Sequence, residues 1–130
     1  MSLKELLQTA DWKTEKHVPV IEAPDSAKKG ECINISVSVG KEIAHPNTTE
    51  HHITWAQVYF LPKGEKFPYQ LGSFEFSSHG SSAQGPNTST IYTCPNATVC
   101  FKTDKPGTIL ASSSCNIHGL WESAKELNLE

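Results

Sequence analysis

Cys115 and His118 stand three residues apart, at the end of a run (residues 107–114) that reads as a buried strand. A thiolate and an imidazole at that spacing can turn toward one point if the chain leaves its strand there. Gly119 permits this, because glycine tolerates positive φ. Soft sulfur with borderline nitrogen is a ligand set for iron, copper or zinc, not for calcium or magnesium. An isolated Cys-x-x-His pair is also what a buried cysteine beside a surface histidine looks like. The chemistry therefore depends on what other segments bring.

Two other segments carry candidates. Glu15, Lys16 and His17 place an acid, a base and an imidazole in succession. In an extended chain Glu15 and His17 share a face; in a loop all three can reach one site. Taken alone, the stretch also reads as a solvated charged turn. Residues 45–52 hold His45, His51 and His52, half of the six histidines in the chain. Pro46, Asn47 and Thr48 make this segment a loop. His51 and His52 are neighbours and point to opposite faces at a strand entrance, so one of them joins any given site, and parity does not say which. His79 falls in a Ser/Gly-rich loop. Cys32, Cys94 and Cys100 show no Cys-x-x-Cys spacing, and each reads as a small buried hydrophobe.

These segments need a scaffold. Residues 2–9 predict a short helix, with Ser2 and Glu5 as a capping box and Leu3, Leu6 and Leu7 on one face that must dock. Residues 30–40 predict the clearest strand: Ile33, Ile35, Val37 and Val39 alternate with Asn34, Ser36 and Ser38, and a glycine closes it at each end. Residues 53–61 predict a strand apolar on both faces, with Ile53, Trp55, Tyr59 and Leu61 on one and Ala56, Val58 and Phe60 on the other. Residues 69–77, 88–94, 97–103 and 107–114 predict further strands, and the tail predicts a last one around Leu127 and Leu129. Short strands at this spacing point to an all-β protein: a seven-stranded, immunoglobulin-like antiparallel sandwich with a short N-terminal helix. A barrel is the alternative. At 130 residues the chain is expected to be one domain, spanning 1–130.

Bulk properties exclude some roles. The net charge is -3 and no basic stripe appears, so nucleic acid is not an expected partner. No apolar run approaches the ~18 residues that span a bilayer, and membrane binding is not expected. The N-terminus carries no apolar signal core, which predicts a cytoplasmic protein. The glycosylation-like triplets at Asn34, Asn47, Asn87 and Asn96 are then chance, and a Cys94–Cys100 disulfide is not expected.

Loops from distant positions cluster at one end of a sandwich. One site can therefore collect His17, His45, His51 or His52, His118 and Cys115. Four nitrogens and one sulfur exceed what structural zinc takes and leave an octahedral metal one open position. A thiolate opposite that position pushes electron density toward whatever binds there. Such a centre suits redox chemistry on a small oxygen species.

The stretches 15–19, 45–53 and 115–122 together resemble the motifs of the superoxide reductases, and among them the one-iron neelaredoxin type. The resemblance runs from the N-terminal helix to Trp121-Glu122. It implies one non-haem iron with His17, His45, His51 and His118 around it and Cys115 on its axis. It also implies Glu15 as a sixth ligand in the oxidised state and Lys16 as the group that attracts superoxide and helps protonate it. The product would be hydrogen peroxide, the electron donor a separate rubredoxin-like protein, and the assembly a homo-oligomer, commonly a homotetramer. Ala44 and Ala56 depart from the residues the family leads one to expect, a proline and a bulkier side chain. The rival readings are a cupredoxin-like copper electron carrier and a plain immunoglobulin-like binding module. Against the first, the sole methionine is Met1.

Overall fold

The computed structural model describes residues 1–130. In chain order the elements are α1 (Leu3–Leu6), β1 (Pro19–Glu22), β2 (Ser26–Ala27), β3 (Ile33–Val39), β4 (Ile53–Pro62), β5 (Tyr69–Glu75), β6 (Asn96–Phe101), β7 (Gly107–Cys115) and β8 (Gly119–Leu129). One sheet has the order β1-β3-β6, the other β2-β8-β7-β4-β5. All pairings are antiparallel except the two-residue β2–β8 contact. The sandwich is the expected fold class, with eight strands instead of seven.

The core lies between the sheets. Ile33, Ile35, Val37 and Val39 of β3 meet Ala56, Val58 and Phe60 of β4, Ile109 and Ala111 of β7, and Leu127 of β8. β3 alternates as its sequence predicts, with Asn34 turned outward. β4 breaks period two. Its ladder with β7 pairs Ile53 with Cys115 and Trp55 with Ser114, so Thr54 is an extra residue. That bulge turns Ile53 inward with Ala56, Val58 and Phe60, not with Trp55, Tyr59 and Leu61. The Thr54 hydroxyl donates to the Ser114 carbonyl at 3.1 Å and holds the irregular step.

Other expectations need correction. The helix is four residues long, and Leu3 and Leu6 are exposed. It docks through backbone instead: Gln8 N–H donates to the Leu120 carbonyl, and Glu122 N–H to the Gln8 carbonyl. Residues 88–94 form no strand. Their backbone bonds go to the preceding loop, Ser89 to Gly80 and Thr93 to Ser78, and leave Ile91 and Tyr92 exposed. β1 and β2 were too short to stand out as alternating runs, and β8 is much longer than a strand around Leu127 and Leu129. Cys32, Cys94 and Cys100 are exposed, not buried, and none is in a disulfide. Strand parity explains two of them: Cys100 pairs with outward-facing Asn34, and Cys32 shares the parity of Asn34. No helix is long and apolar enough to cross a membrane.

Candidate metal centre

The sandwich brings three chain segments to one end. β7 ends at buried Cys115, and Gly119, at φ +81, starts the return strand, so a tight turn brings exposed His118 back toward the Cys115 sulfur. β4 begins next to them and is preceded by the loop that carries His45 and His51. That loop starts at Gly40, whose φ is +86 and where a Cβ would lie 2.6 Å from the His45 nitrogen. Only glycine lets the chain fold back that closely. The segment before β1 supplies His17, whose carbonyl accepts a bond from the fully buried Ser113 hydroxyl of β7.

Four imidazoles form a square. Ring centroids are 4.8 Å apart for His17–His45, 4.7 Å for His45–His51, 5.0 Å for His51–His118 and 4.7 Å for His118–His17; the His17–His51 diagonal is 6.4 Å. Ligand atoms of His17, His45, His51 and Cys115 all lie within 4.8 Å of one another. His118 presents Nδ1, 3.1 Å from His17 Nε2 and 3.8 Å from Cys115 Sγ. Its backbone N–H donates to that sulfur at 3.4 Å. His52 turns away from the square and stacks on His79 at 3.5 Å. Glu15 sits at the edge. Its Oε1 meets His17 Nδ1 at 2.6 Å and accepts from the His17 backbone.

The second nitrogens fix the tautomers. His45 Nδ1 lies 2.7 Å from the Pro46 carbonyl, so it carries the proton and leaves a lone pair on Nε2. His17 Nδ1 faces the Glu15 carboxylate in the same manner. The Nε2 atoms of His45 and His51 are buried and have no hydrogen-bond partner. Burial, with the neighbouring charges of His17, His51 and Lys16, holds the His45 pKa down from 6.5 to about 4. His51 is lowered too, by burial first and then by His118, His17 and Lys16. The Glu15 carboxyl is raised by burial, but bonds from His17 outweigh this and leave it below 4.5. Imidazoles gathered around one point beside a buried cysteine sulfur, with His45 and His51 held toward the neutral form, fit a metal ion. Four nitrogens and a sulfur suit a redox metal with one open position better than tetrahedral zinc.

The Desulfoferrodoxin family profile matches residues 9–124. The chain belongs to the desulfoferrodoxin family. It is 55% identical over 130 residues to the neelaredoxin of Megalodesulfovibrio gigas, covering 100% of each chain. It is 55% identical to the superoxide reductase of Pyrococcus furiosus over 98% of this chain and 99% of that one. The solved superoxide reductase (neelaredoxin) of Archaeoglobus fulgidus in its reduced form superposes with a TM-score of 0.89 at 56% identity, covering 95% of this chain and 99% of that chain. Proteins of the desulfoferrodoxin family carry one non-haem iron.

Several residues that hold this desulfoferrodoxin centre together escaped the sequence reading. Asn116 is the main one. Its Nδ2 donates to the Glu50 carbonyl at 2.8 Å, and its Oδ1 accepts the His52 N–H at 2.8 Å. It thus fastens the histidine loop to the β7–β8 turn. Asn87, the one non-glycine residue at positive φ, accepts from Thr49 N–H and donates to the Glu50 carboxylate. Asn47 bonds the Thr93 carbonyl and His79. The long loop of residues 77–93 is therefore a brace for the His45–His51 segment. Trp121 lies 5.1 Å from His17, nearly parallel at 13°, and its indole N–H donates to the His118 carbonyl. An asparagine directly after the cysteine was the one available signal, since asparagine side chains mimic backbone at turns.

Asn116→Ala should weaken metal retention about tenfold or more, the effect expected when an outer-layer support is lost. Competition with a chelator measures it; unchanged affinity would show that the clamp is dispensable. A second expectation concerns pH. A histidine whose pKa falls on folding contributes stability that is complete above its unfolded value and is lost as pH drops toward the folded one. For His45 that window runs from 6.5 down to about 4. Urea denaturation of the metal-free protein should show stability falling through this window, and a flat profile there would contradict a buried neutral His45.

Proposed function

We propose that this chain is a superoxide reductase, acting as one domain over residues 1–130. The observation that supports it best is the square of imidazoles beside buried Cys115, with two buried Nε2 atoms unpartnered, in a chain of the desulfoferrodoxin family. In this reading His17, His45, His51, His118 and Cys115 would hold the iron. Bound iron in its ferrous form supplies the one electron that superoxide takes. Two protons complete hydrogen peroxide. The cupredoxin alternative has no support: the sole methionine, Met1, is fully exposed at the chain end, and the square offers more histidines than such a copper site uses.

The chain's own residues do the rest. The Cys115 sulfur, buried and accepting the His118 N–H at 3.4 Å, would give the iron its one sulfur ligand. Glu15 orients His17 in the conformation described, and it would be the sixth ligand in the oxidised state. Lys16 is half-buried, and its charge adds to the lowering of His45 and His51 behind burial and the neighbouring histidines. A chain of net charge -3 repels an anion at long range, so a local cation must offset that. Lys16 is placed to do so and to pass a proton to the bound anion, directly or through water. The electron donor would be a rubredoxin-like protein and the assembly a homotetramer. The compartment would be the cytoplasm.

Purified protein given superoxide and a reductant should form hydrogen peroxide without releasing oxygen. Steady oxygen evolution with no reductant present would make the protein a dismutase instead. Lys16→Ala should slow the second-order reaction about tenfold and flatten its fall with salt, while Lys16→Arg keeps most of the rate. Stopped-flow traces across ionic strength decide this; equal rates and slopes in all three proteins would remove Lys16 from substrate capture.

A further inference from the structure

Two of the four cysteines form a pair that the metal centre does not use. Cys100 Sγ donates to Cys32 Sγ at 2.9 Å, and both residues are exposed. The register Ile33↔Phe101 and Asn34↔Cys100 places Cys32 diagonally across the β3–β6 ladder from Cys100, on the outward face. β6 is the edge strand of its sheet. The pair sits at the start of β3, whereas Gly40 and His45 follow its other end. Seven strand residues separate the two ends, roughly 20 Å or more. A ligand role at the centre is therefore ruled out by distance. Two exposed thiols in contact are also not a packing feature, since neither fills a core position.

We propose that Cys32 and Cys100 are a redox-active dithiol that hydrogen peroxide converts into a reversible disulfide across β3 and β6. The source of that oxidant rests on the superoxide reductase reading, because peroxide is the product formed on the same molecule. One thiolate of the pair attacks a peroxide oxygen: a sulfur–oxygen bond forms, the oxygen–oxygen bond breaks, and hydroxide leaves and takes a proton. The second sulfur then attacks the sulfenic acid: the sulfur–sulfur bond forms, the sulfur–oxygen bond breaks, and water leaves. Two thiols and one peroxide become one disulfide and two waters, with two electrons passing from sulfur to oxygen. Contact between the sulfurs means that the second step needs only a short closure to bonding distance. The bond would join two strands 68 positions apart in sequence and tie the edge strand down. The hydrogen bond to Cys32, with burial, raises the Cys100 thiol above 9.0, which suits a slow, stoichiometric reaction better than a fast peroxidase cycle.

The test adds hydrogen peroxide directly to reduced, iron-loaded, full-length protein, so it does not depend on turnover of superoxide. The expected result is the loss of two thiols, a mass about 2 Da lower, a peptide map joining Cys32 to Cys100, and full reversal by dithiothreitol. In Cys32→Ser, Cys100 should stop at sulfenic acid and take a dimedone label, while superoxide reduction stays at the wild-type rate. The proposal is overturned if both thiols survive peroxide, if each oxidises separately to sulfinic acid, or if the map finds the two cysteines linked only between molecules.

Discussion

Two buried ring nitrogens without a hydrogen-bond partner, His45 Nε2 and His51 Nε2, are the constraint on which the site depends. Each unmet buried polar atom costs about 1–3 kcal/mol, and nothing in the chain answers either one. Burial keeps both rings neutral, so the lone pairs persist. Four rings then stand edge to edge around one point with a sulfur beside them. Only a cation with several open coordination positions satisfies all of them at once. The metal-bound protein is accordingly the state in which the polar groups of this end of the sandwich are paired.

The supports around the centre divide into two kinds. Ser113, Ser123 and Trp121 come from the strands and fix the His17 segment against the large sheet: Ser113 bonds the His17 carbonyl, Ser123 bonds the Pro19 carbonyl at 2.6 Å, and Trp121 covers the ring. Asn47, Asn87 and Asn116 come from loops and fasten the His45–His51 segment to other loops. The first kind shares its residues with the fold, and a change there disturbs packing as well as the site. The second kind sits on exposed polar chain, largely apart from the core. The centre can therefore be tuned through its loops with little effect on the stability of the sandwich.

Much of this was legible in the residues. Alternation in residues 33–39 marks β3 and its inward face, because a half-buried strand has no other way to solvate one side. The three ligand-bearing stretches stand out because histidine is scarce elsewhere in the chain. The choice between His51 and His52 was not legible from parity, since it depends on a bulge at Thr54 that shifts the whole strand entrance. The same bulge reversed the expected face of Ile53. Residues 88–94 have strand-like composition, yet their backbone is taken up by the brace loop, a long-range arrangement that local propensity does not encode. The exposed thiols failed for a simpler reason: cysteine is usually buried, and here strand parity overrides composition.

The square closes across a large gap in sequence. His17 and His118 meet at 3.1 Å although they are 101 positions apart in sequence. Joining such distant segments carries a loop-closure penalty that adjacent strands do not face, and contacts of this span form late when a chain folds. His17, His45 and His51 precede Cys115 and His118 in the chain. Three imidazoles are therefore in an open, unfinished constellation until the later segment joins them. The full ligand set exists only once β7 and β8 have zipped onto the sheet, and metal choice then falls to whichever ion is available at that moment.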